Sequence, residues 1–139
     1  MEFSRRDLSL VLPLLAAAKA EGQNHVLSSH LYRYEDLPVH GEGPNHGRPI
    51  FEGETHTGVR LELHETELAP GRMPHPPHHH LHEEMILIRE GTMEVTIAGT
   101  SETMGPGSVG FVASNVEHGW KNVGTGQARY FVMAVGRDS

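Results

Sequence analysis

One stretch of the sequence, residues 71–91, combines metal-binding side chains with the pattern of a β-strand. It reads GRMPHPPHHHLHEEMILIREG and holds five of the chain's twelve histidines. In an extended strand alternate side chains point to opposite faces, so His78 and His80 share a face that Glu84 rejoins. Two imidazoles and a carboxylate directed at one point form half of a metal site. His118, the only later histidine, is the candidate that completes it.

The same stretch offers a second choice of ligands. His82 has the parity of His80, so a set made of His80, His82 and Glu84 also points inward from a regular strand. This set leaves a single residue between its second histidine and the glutamate. His79 and Glu83 alternate to the outer face, where we expect surface side chains.

Length and composition exclude several kinds of protein. With 139 residues the chain suits a single domain that can bury a core without cross-links. It contains no cysteine, so disulfides, thiolate metal sites and cysteine nucleophiles are excluded. Asp and Glu number 18 against 11 Lys and Arg, which argues against nucleic-acid binding because that function needs a basic face.

The first twenty residues have the pattern of an export signal. Ser4-Arg5-Arg6 precedes an apolar segment, residues 10–18, that is too short to span a bilayer. Ala18-Lys19-Ala20 fits a small-residue cleavage site. The Ser-Arg-Arg-x-Leu order resembles a twin-arginine signal, which implies export of a folded, metal-loaded protein. We therefore expect loss of residues 1–20 and a periplasmic or secreted protein without a membrane segment; the alternative is an amphipathic helix that docks on the domain or on a partner subunit.

Residues 21–58 have weak periodicity and are predicted to form an N-terminal arm. His25 to Tyr34 has the composition of one edge strand. Glu35 to Gly53 is rich in glycine and proline and is predicted to be a loop. The histidines of the arm lack ligand spacing, so we expect them at the surface.

The remainder, residues 59–139, alternates between apolar and polar residues in short runs. In the first run Val59, Leu61 and Leu63 share one face, and polar residues occupy the other. Glycine- and proline-containing turns separate six or more such runs, without a convincing helical pattern. The predicted fold is all-β, a sandwich or barrel of antiparallel strands, and a jelly roll protects its sheet edges best.

The polar residues of the first stretch resemble a motif of the cupin superfamily. That motif is a glycine, then His-x-His, three residues, a glutamate, six residues and a glycine. The chain carries these residues in order, with one extra residue between the first glycine and the first histidine: Gly71, His78, His80, Glu84 and Gly91.

Residues 105–122 are similar to the second cupin motif. Gly105-Pro106-Gly107 opens it, and His118 and Asn122 close it. The family usually has Pro-x-Gly before the histidine, where this chain has Ala113-Ser114-Asn115. Asparagine tolerates positive φ, so we expect Asn115 to take the place of the glycine in the turn.

The resemblance implies a cupin jelly-roll β-barrel, also called a double-stranded β-helix, with one divalent transition metal per chain. The implied ligands are His78, His80, Glu84 and His118. Nitrogen and oxygen ligands without sulfur suit Mn or Fe, and also Ni, Co, Cu or Zn. In dioxygenase-like cupins the glutamate can also relay a proton, which makes Glu84 the candidate catalytic residue. Single-domain cupins often exchange N-terminal strands between subunits, so a homodimer is expected.

A mostly apolar pocket above the metal is expected to hold a small organic molecule. The candidate lining residues are His75, His82, Ile86, Phe111, Trp120 and Tyr130. Ile88, Met93 and Asn122 are further candidates, although a small barrel also needs such side chains to fill its core.

Three functions fit these observations. The first is a metalloenzyme that oxidises a small molecule as a dioxygenase does, or that uses the metal as a Lewis acid in isomerisation or cleavage. The second is a module that binds a small molecule or sugar without chemistry. The third is an exported barrel in which the metal is only structural. We favour the first, but the barrel itself does not specify a reaction or a substrate.

Overall fold

The computed structural model describes residues 25–137, which form an almost all-β structure. After a short 3-10 helix at Tyr34–Asp36 come eight strands. They are β1 (Asn45–Glu54), β2 (Arg60–Leu68), β3 (Glu83–Glu90), β4 (Met93–Ile97), β5 (Thr100–Met104), β6 (Val109–Val112), β7 (His118–Asn122) and β8 (Ala128–Val135). Within the described range no helix is long and apolar enough to cross a membrane. The predicted export signal lies outside that range.

The strands form two antiparallel sheets. The larger sheet has the order β1-β2-β8-β3-β6, and the smaller has the order β5-β4-β7. Strands distant in sequence become neighbours, because β8 pairs with β2 on one side and with β3 on the other. The predicted all-β jelly roll is therefore confirmed.

Apolar side chains from both sheets fill the space between them. Cross-strand pairing places Ile86 of β3 opposite Val132 of β8, and Ile88 opposite Tyr130. Each fully buried aliphatic or aromatic side chain contributes about 1.5–3 kcal/mol to folding. The buried cluster consists of Leu68, Ile86, Ile88, Met93, Val95, Trp120, Ala128, Tyr130 and Val132.

The glycine that ends the first motif is required by close packing. Gly91 has φ +88° and turns the chain from β3 into β4. A β-carbon at this position would lie 2.8 Å from the Cα atom of Ala128. Both the left-handed backbone and the missing side chain therefore favour glycine here.

Two predictions for the N-terminal arm are wrong. His25 to Tyr34 forms no strand, only an isolated bridge between Val26 and Glu54. Strand β1 instead occupies about half of the segment predicted to be a loop, residues 45–53. It is an edge strand with a register shift between Pro49 and Phe51, and such positions tolerate proline and glycine because they require fewer ladder hydrogen bonds.

The arm covers part of the outer face of the larger sheet and buries charged residues there. The guanidinium groups of Arg48 and Arg89 both lie over the ring of Tyr34, 4.7 and 4.6 Å from its centroid. Arg48 and Arg89 donate hydrogen bonds of 3.2 and 2.9 Å to Glu65, which is fully buried. The sequence pattern alone did not indicate this network.

Glu67 belongs to the same network. It accepts a 3.0 Å hydrogen bond from the Tyr34 hydroxyl and another from Arg48, and Arg129 Nε lies 3.3 Å away. Burial by itself raises the pKa of Glu67, but the hydrogen bonds from Arg48 and Tyr34 outweigh it and hold the pKa below 4.5. Glu67 is therefore a buried carboxylate kept charged by its partners.

Candidate metal centre

Backbone pairing brings the two motifs together. The amide of His78 donates to the carbonyl of His118 over 3.0 Å, and the amide of His118 donates back over 2.9 Å. This isolated antiparallel bridge sets the two imidazole rings 4.9 Å apart at their centroids. The distant histidine predicted to complete the site thus lies beside the first motif.

The prediction that the motif residues lie on one regular strand is wrong. Strand β3 begins only at Glu83, and the chain bends at Leu81 and His82. In a regular strand, residues four positions apart are roughly 13 Å from each other. The bend instead places His80 Nε2 3.0 Å from Glu84 Oε2.

Three imidazole nitrogens converge at the centre of this arrangement. The groups His78, His80 and His118 each offer a nitrogen within 4.8 Å of the others. The Nε2 atoms of all three are buried and lack a hydrogen-bond partner within the described part of the chain, because the 3.0 Å contact between His80 Nε2 and Glu84 does not have hydrogen-bond geometry. The Nδ1 atoms of His80 and His118 lie 2.9 Å from the carbonyls of His82 and Val116. Donation from Nδ1 to these carbonyls leaves the Nε2 lone pairs available, as is usual for a histidine that binds metal through Nε2.

Glu84 supplies the negative charge of the group. It is only 7% exposed, and its Oε1 atom lies 3.7 Å from His118 Nε2. Burial lowers the pKa of His78, and the nearby His75, His118 and His80 lower it further. Low pKa favours the neutral imidazole, which is the form that binds metal. The three nitrogens and the carboxylate therefore fit a divalent transition ion.

The second choice of ligands is also assembled. His80, His82 and Glu84 each offer an atom within 4.8 Å of the others. His82 Nε2 is 3.4 Å from Glu84 Oε2. The two possible sets share His80, and Glu84 lies beside both.

A cavity of about 150 Å³ opens beside Glu84. Its walls are mainly apolar and aromatic, with several polar side chains directed into it. His75 stacks on His78 with ring centroids 3.9 Å apart and so lies at the edge of both the cavity and the metal centre. The lining residues are His64, Thr66, Pro74, His75, Glu84, Trp120, Tyr130 and Val132.

The predicted pocket residues have different positions. His75, Trp120 and Tyr130 line the cavity, whereas Ile86 is fully buried in the core. Phe111 is 54% exposed on the outer face of the sheet, so its predicted place in the pocket is wrong. The cause is the alternation of side chains along β6. Val112 pairs with Glu84 and is buried, so its neighbour Phe111 points outward.

Asn122 is a structural residue. Its side-chain nitrogen donates to the carbonyls of Leu68 and Gly126 over 2.9 and 2.8 Å, and its oxygen accepts from the Gly124 amide over 3.0 Å. It is completely buried and does not line the cavity. This residue of the second motif joins β7 to the end of β2 and to the following turn.

The sequence patterns missed one pair on the cavity side of β2. His64 Nδ1 lies 2.8 and 3.0 Å from the two carboxylate oxygens of Glu62. Alternation suggested that these polar residues face solvent. Leu68 indicates the opposite orientation, because it occupies an even position of β2, as Glu62 and His64 do, and lies in the core.

Comparison with known proteins agrees with this geometry. A family model described as "Cupin domain" matches residues 64–134, about half of the chain. Among curated proteins none matches this sequence significantly.

Several solved structures share the fold. An RmlC-like cupin from Shewanella frigidimarina is 19% identical, with a TM-score of 0.65 over 79% of this chain and 93% of that one. The polyketide cyclase RemF from Streptomyces resistomycificus is 24% identical, with a TM-score of 0.62 over 80% and 81%. A protein described as a predicted oxalate decarboxylase from Thermotoga maritima is 15% identical, with a TM-score of 0.65 over 78% and 100%. At these identities the similarity concerns the fold and not the reaction.

Proposed function

The chain belongs to the cupin family, and on that basis we propose that it is a single-domain metalloenzyme acting on a small organic molecule. The observation that carries the proposal is the set of three buried Nε2 atoms beside Glu84 that have no hydrogen-bond partner among residues 25–137. Buried polar atoms in native proteins nearly always have partners, so an orphaned group of three suggests a ligand that all three share. A divalent cation suits three imidazoles and a carboxylate.

His78, His80, His118 and Glu84 would hold the metal. When bound, the metal would supply a Lewis acid or, as Fe or Mn, a centre for dioxygen chemistry. Four protein ligands leave room for a substrate oxygen in a coordination shell of five or six. Glu84 is the candidate to relay a proton between the substrate and the centre.

The cavity walls would orient the substrate and exclude water. Trp120 donates a 3.2 Å hydrogen bond to the Tyr130 hydroxyl. Burial raises the pKa of Tyr130 far above its ordinary value, so its hydroxyl remains protonated and can donate to a substrate oxygen. Two of the structural neighbours are described as a polyketide cyclase and a predicted oxalate decarboxylase, names that refer to reactions of organic compounds. This is consistent with the substrate class that we propose.

Metal analysis tests the proposal directly. We expect elemental analysis of protein from its native host to find one divalent ion per chain. A protein that binds no divalent ion stoichiometrically would contradict the metal centre. Chelation should lower the melting temperature by about 10 °C, because a ligand present at about 100 times its Kd stabilises the fold by about 2.7 kcal/mol.

Catalysis requires a separate test. A dioxygen-uptake screen on phenols, diketones and flavonoid-like compounds should find turnover that His80→Ala abolishes. Binding of a compound without turnover would instead support the non-catalytic binding module.

We also propose that the protein forms a homodimer through the outer face of its larger sheet. The arm covers this face near β1 and β2 but leaves an apolar stripe across β6, β3 and β8. Direct cross-strand pairs hold the stripe together, and three of its members are exposed by two fifths or more. It consists of Met85, Leu87, Val109, Phe111, Phe131 and Met133. A stripe of this kind on each copy suits a self-complementary twofold interface.

Export is the last part of the proposed function. The twin-arginine-like pattern in residues 1–20 supports a periplasmic or secreted location. Arg5→Lys together with Arg6→Lys should retain the protein in the cytoplasm, as fractionation with an antibody would show. Unchanged export of this variant would exclude the twin-arginine route.

A further inference from the structure

The inner face of the larger sheet carries a second carboxylate, that of Glu62, two strands away from Glu84 of the candidate metal centre. In the strand register Glu62 pairs with Ala134, and Ala134 pairs with Glu84. Directly paired residues of antiparallel strands project to the same face, so both carboxylates belong to the face that lines the barrel. Neighbouring strands are about 4.8 Å apart, which separates Glu62 and Glu84 by roughly 10 Å. Only the small side chain of Ala134 lies between them in this row.

His64 occupies the next row of the same face. It pairs with Val132, and Val132 pairs with the core residue Ile86. His64 lines the 150 Å³ cavity together with Glu84. Both carboxylate oxygens of Glu62 lie within 3.0 Å of its Nδ1 atom. The Nε2 atom is therefore the ring nitrogen left for a ligand.

We propose that His64, oriented by Glu62, is the proton acceptor for a small enolisable carbonyl compound bound in this cavity. The inference rests on the proposed metal centre, which would receive the oxygen end of the ligand. His64 would act as a catalytic residue, and Glu62 as a positioning residue that stabilises the imidazolium ion.

The proton step balances without any further reactant. A C–H or enol O–H bond of the ligand breaks, and an N–H bond forms at His64 Nε2. The electron pair stays on the ligand, which becomes an enolate, and its oxygen end would lie beside Glu84 and the proposed metal centre. The positive charge gained by His64 is neutralised by the adjacent Glu62 carboxylate.

The surroundings limit which molecules fit. The cavity holds roughly five times the ~30 Å³ that one water molecule occupies in the liquid, which suits a compound of a few carbon atoms. Its apolar walls at Pro74, Trp120 and Val132 suit the carbon skeleton of such a compound. His64 of β2 and Glu84 of β3 line the cavity from strands that β8 separates. They suit a ligand with an acidic hydrogen directed to His64 and an oxygen directed to the metal centre beside Glu84.

Several other ionisable groups surround His64. His75, Glu84 and Tyr130 line the same cavity. On the neighbouring strand β1, Glu52 pairs directly with Glu62 and accepts a hydrogen bond from Arg60. Arg60 therefore neutralises Glu52, and the carboxylate of Glu62 remains directed to His64.

Proton counting in a calorimeter tests the proposal. The probe is acetylacetone, a small diketone that binds metals as its enolate, added to zinc-loaded protein because zinc has no redox chemistry. Titrations at about pH 8 in buffers of different ionisation enthalpy give the number of protons released on binding. We expect almost no release from the unmodified protein, because His64 keeps the proton, and release of about one proton from His64→Gln. The affinity of that variant should fall about tenfold, the loss of one charge-assisted hydrogen bond.

Control variants separate the possible outcomes. His56→Gln, a change at an exposed loop histidine, should behave as the unmodified protein does, whereas Glu62→Gln should shift the proton count towards that of His64→Gln. Equal proton release from the unmodified protein and His64→Gln overturns the inference. So does the absence of acetylacetone binding when zinc is bound, an outcome that leaves the metal centre intact. Failure to bind zinc overturns the proposed function and this inference together.

Discussion

The imidazole ring of His82 stacks on that of His80, with ring centroids 3.6 Å apart and an interplanar angle of 14°. His82 is therefore close enough to the centre to compete with His78 and His118 as a ligand. Only the latter two share with His80 a buried Nε2 atom that lacks a hydrogen-bond partner among the described residues. This difference favours the set that contains His118.

Single substitutions distinguish the two ligand sets. We expect His118→Ala to weaken zinc affinity by more than about 100-fold, because even the loss of a residue that only hydrogen-bonds to a metal ligand weakens metal affinity 10–100-fold. His82→Ala should change the affinity by less than about tenfold, the effect of a neighbouring ring. Isothermal titration with Zn²⁺ gives both values, with the exposed His79→Ala as the matched control. A larger loss in His82→Ala than in His118→Ala would assign the metal to His80, His82 and Glu84.

The buried carboxylate network predicts how stability depends on pH. The pKa of Glu67 is lower in the folded protein than its ordinary value of 4.5. Its contribution to stability is therefore complete above about pH 4.5 and is lost as the pH falls through the lowered pKa. We expect Glu67→Gln to lower the free energy of unfolding at pH 7 by about 2–3 kcal/mol, because Arg48 and Arg129 lose a charged partner.

Urea unfolding at several pH values measures this effect. The difference between the unmodified protein and Glu67→Gln should shrink as the pH falls below 4.5. Glu94→Gln, a change at an exposed carboxylate of β4, is the matched control and should follow the unmodified protein. A constant difference at every pH would show that Glu67 stabilises the fold by packing and not by charge.

Short-range patterns predicted the ligand residues but not the shape of the chain that carries them. Alternation and motif spacing brought His78, His80, Glu84 and His118 into one hypothesis, and the structure brings their side chains together. The bend before β3 could not be predicted, because it depends on tertiary contacts. One of these is the 2.8 Å hydrogen bond from the Asn115 amide to the His80 carbonyl.

Burial by a remote segment explains the other differences. Glu65 and Glu67 look like surface residues in the pattern of β2, yet the arm and three arginines enclose them. Pro49 suggested a loop because proline is excluded from central strands. Its strand lies at a sheet edge, where proline is tolerated, but this position is a property of the whole fold and is not visible in the local sequence. Charged residues and prolines report their local preferences, and tertiary structure overrides these where partners or an edge are available.

The turn before β7 connects backbone conformation to the metal centre. Asn115 has φ +62°, as expected for a residue that replaces the usual glycine. Asn115→Gly should be nearly neutral, whereas Asn115→Val should lower the free energy of unfolding by about 1–2 kcal/mol, because its β-branched side chain clashes in this conformation. The valine variant should also bind zinc more weakly, since the Asn115 amide supports His80. Thermal melts and zinc titrations check both effects, and equal behaviour of the two variants would contradict the role of the positive φ.

The apolar stripe on the outer face predicts the behaviour of the dimer. Phe111 is 54% exposed and lies at the sheet edge formed by β6. Phe111→Glu would place a charge in the proposed twofold interface and remove an apolar side chain worth about 1.5–3 kcal/mol from each subunit. We expect dimer affinity to fall by about 100-fold or more, so that sedimentation equilibrium at micromolar concentration reports a monomer. Leu31→Glu is the matched control, because Leu31 is 90% exposed on the arm and should leave the dimer intact. An unmodified protein that is already monomeric, or a Phe111→Glu variant that remains dimeric, would exclude this face as the interface.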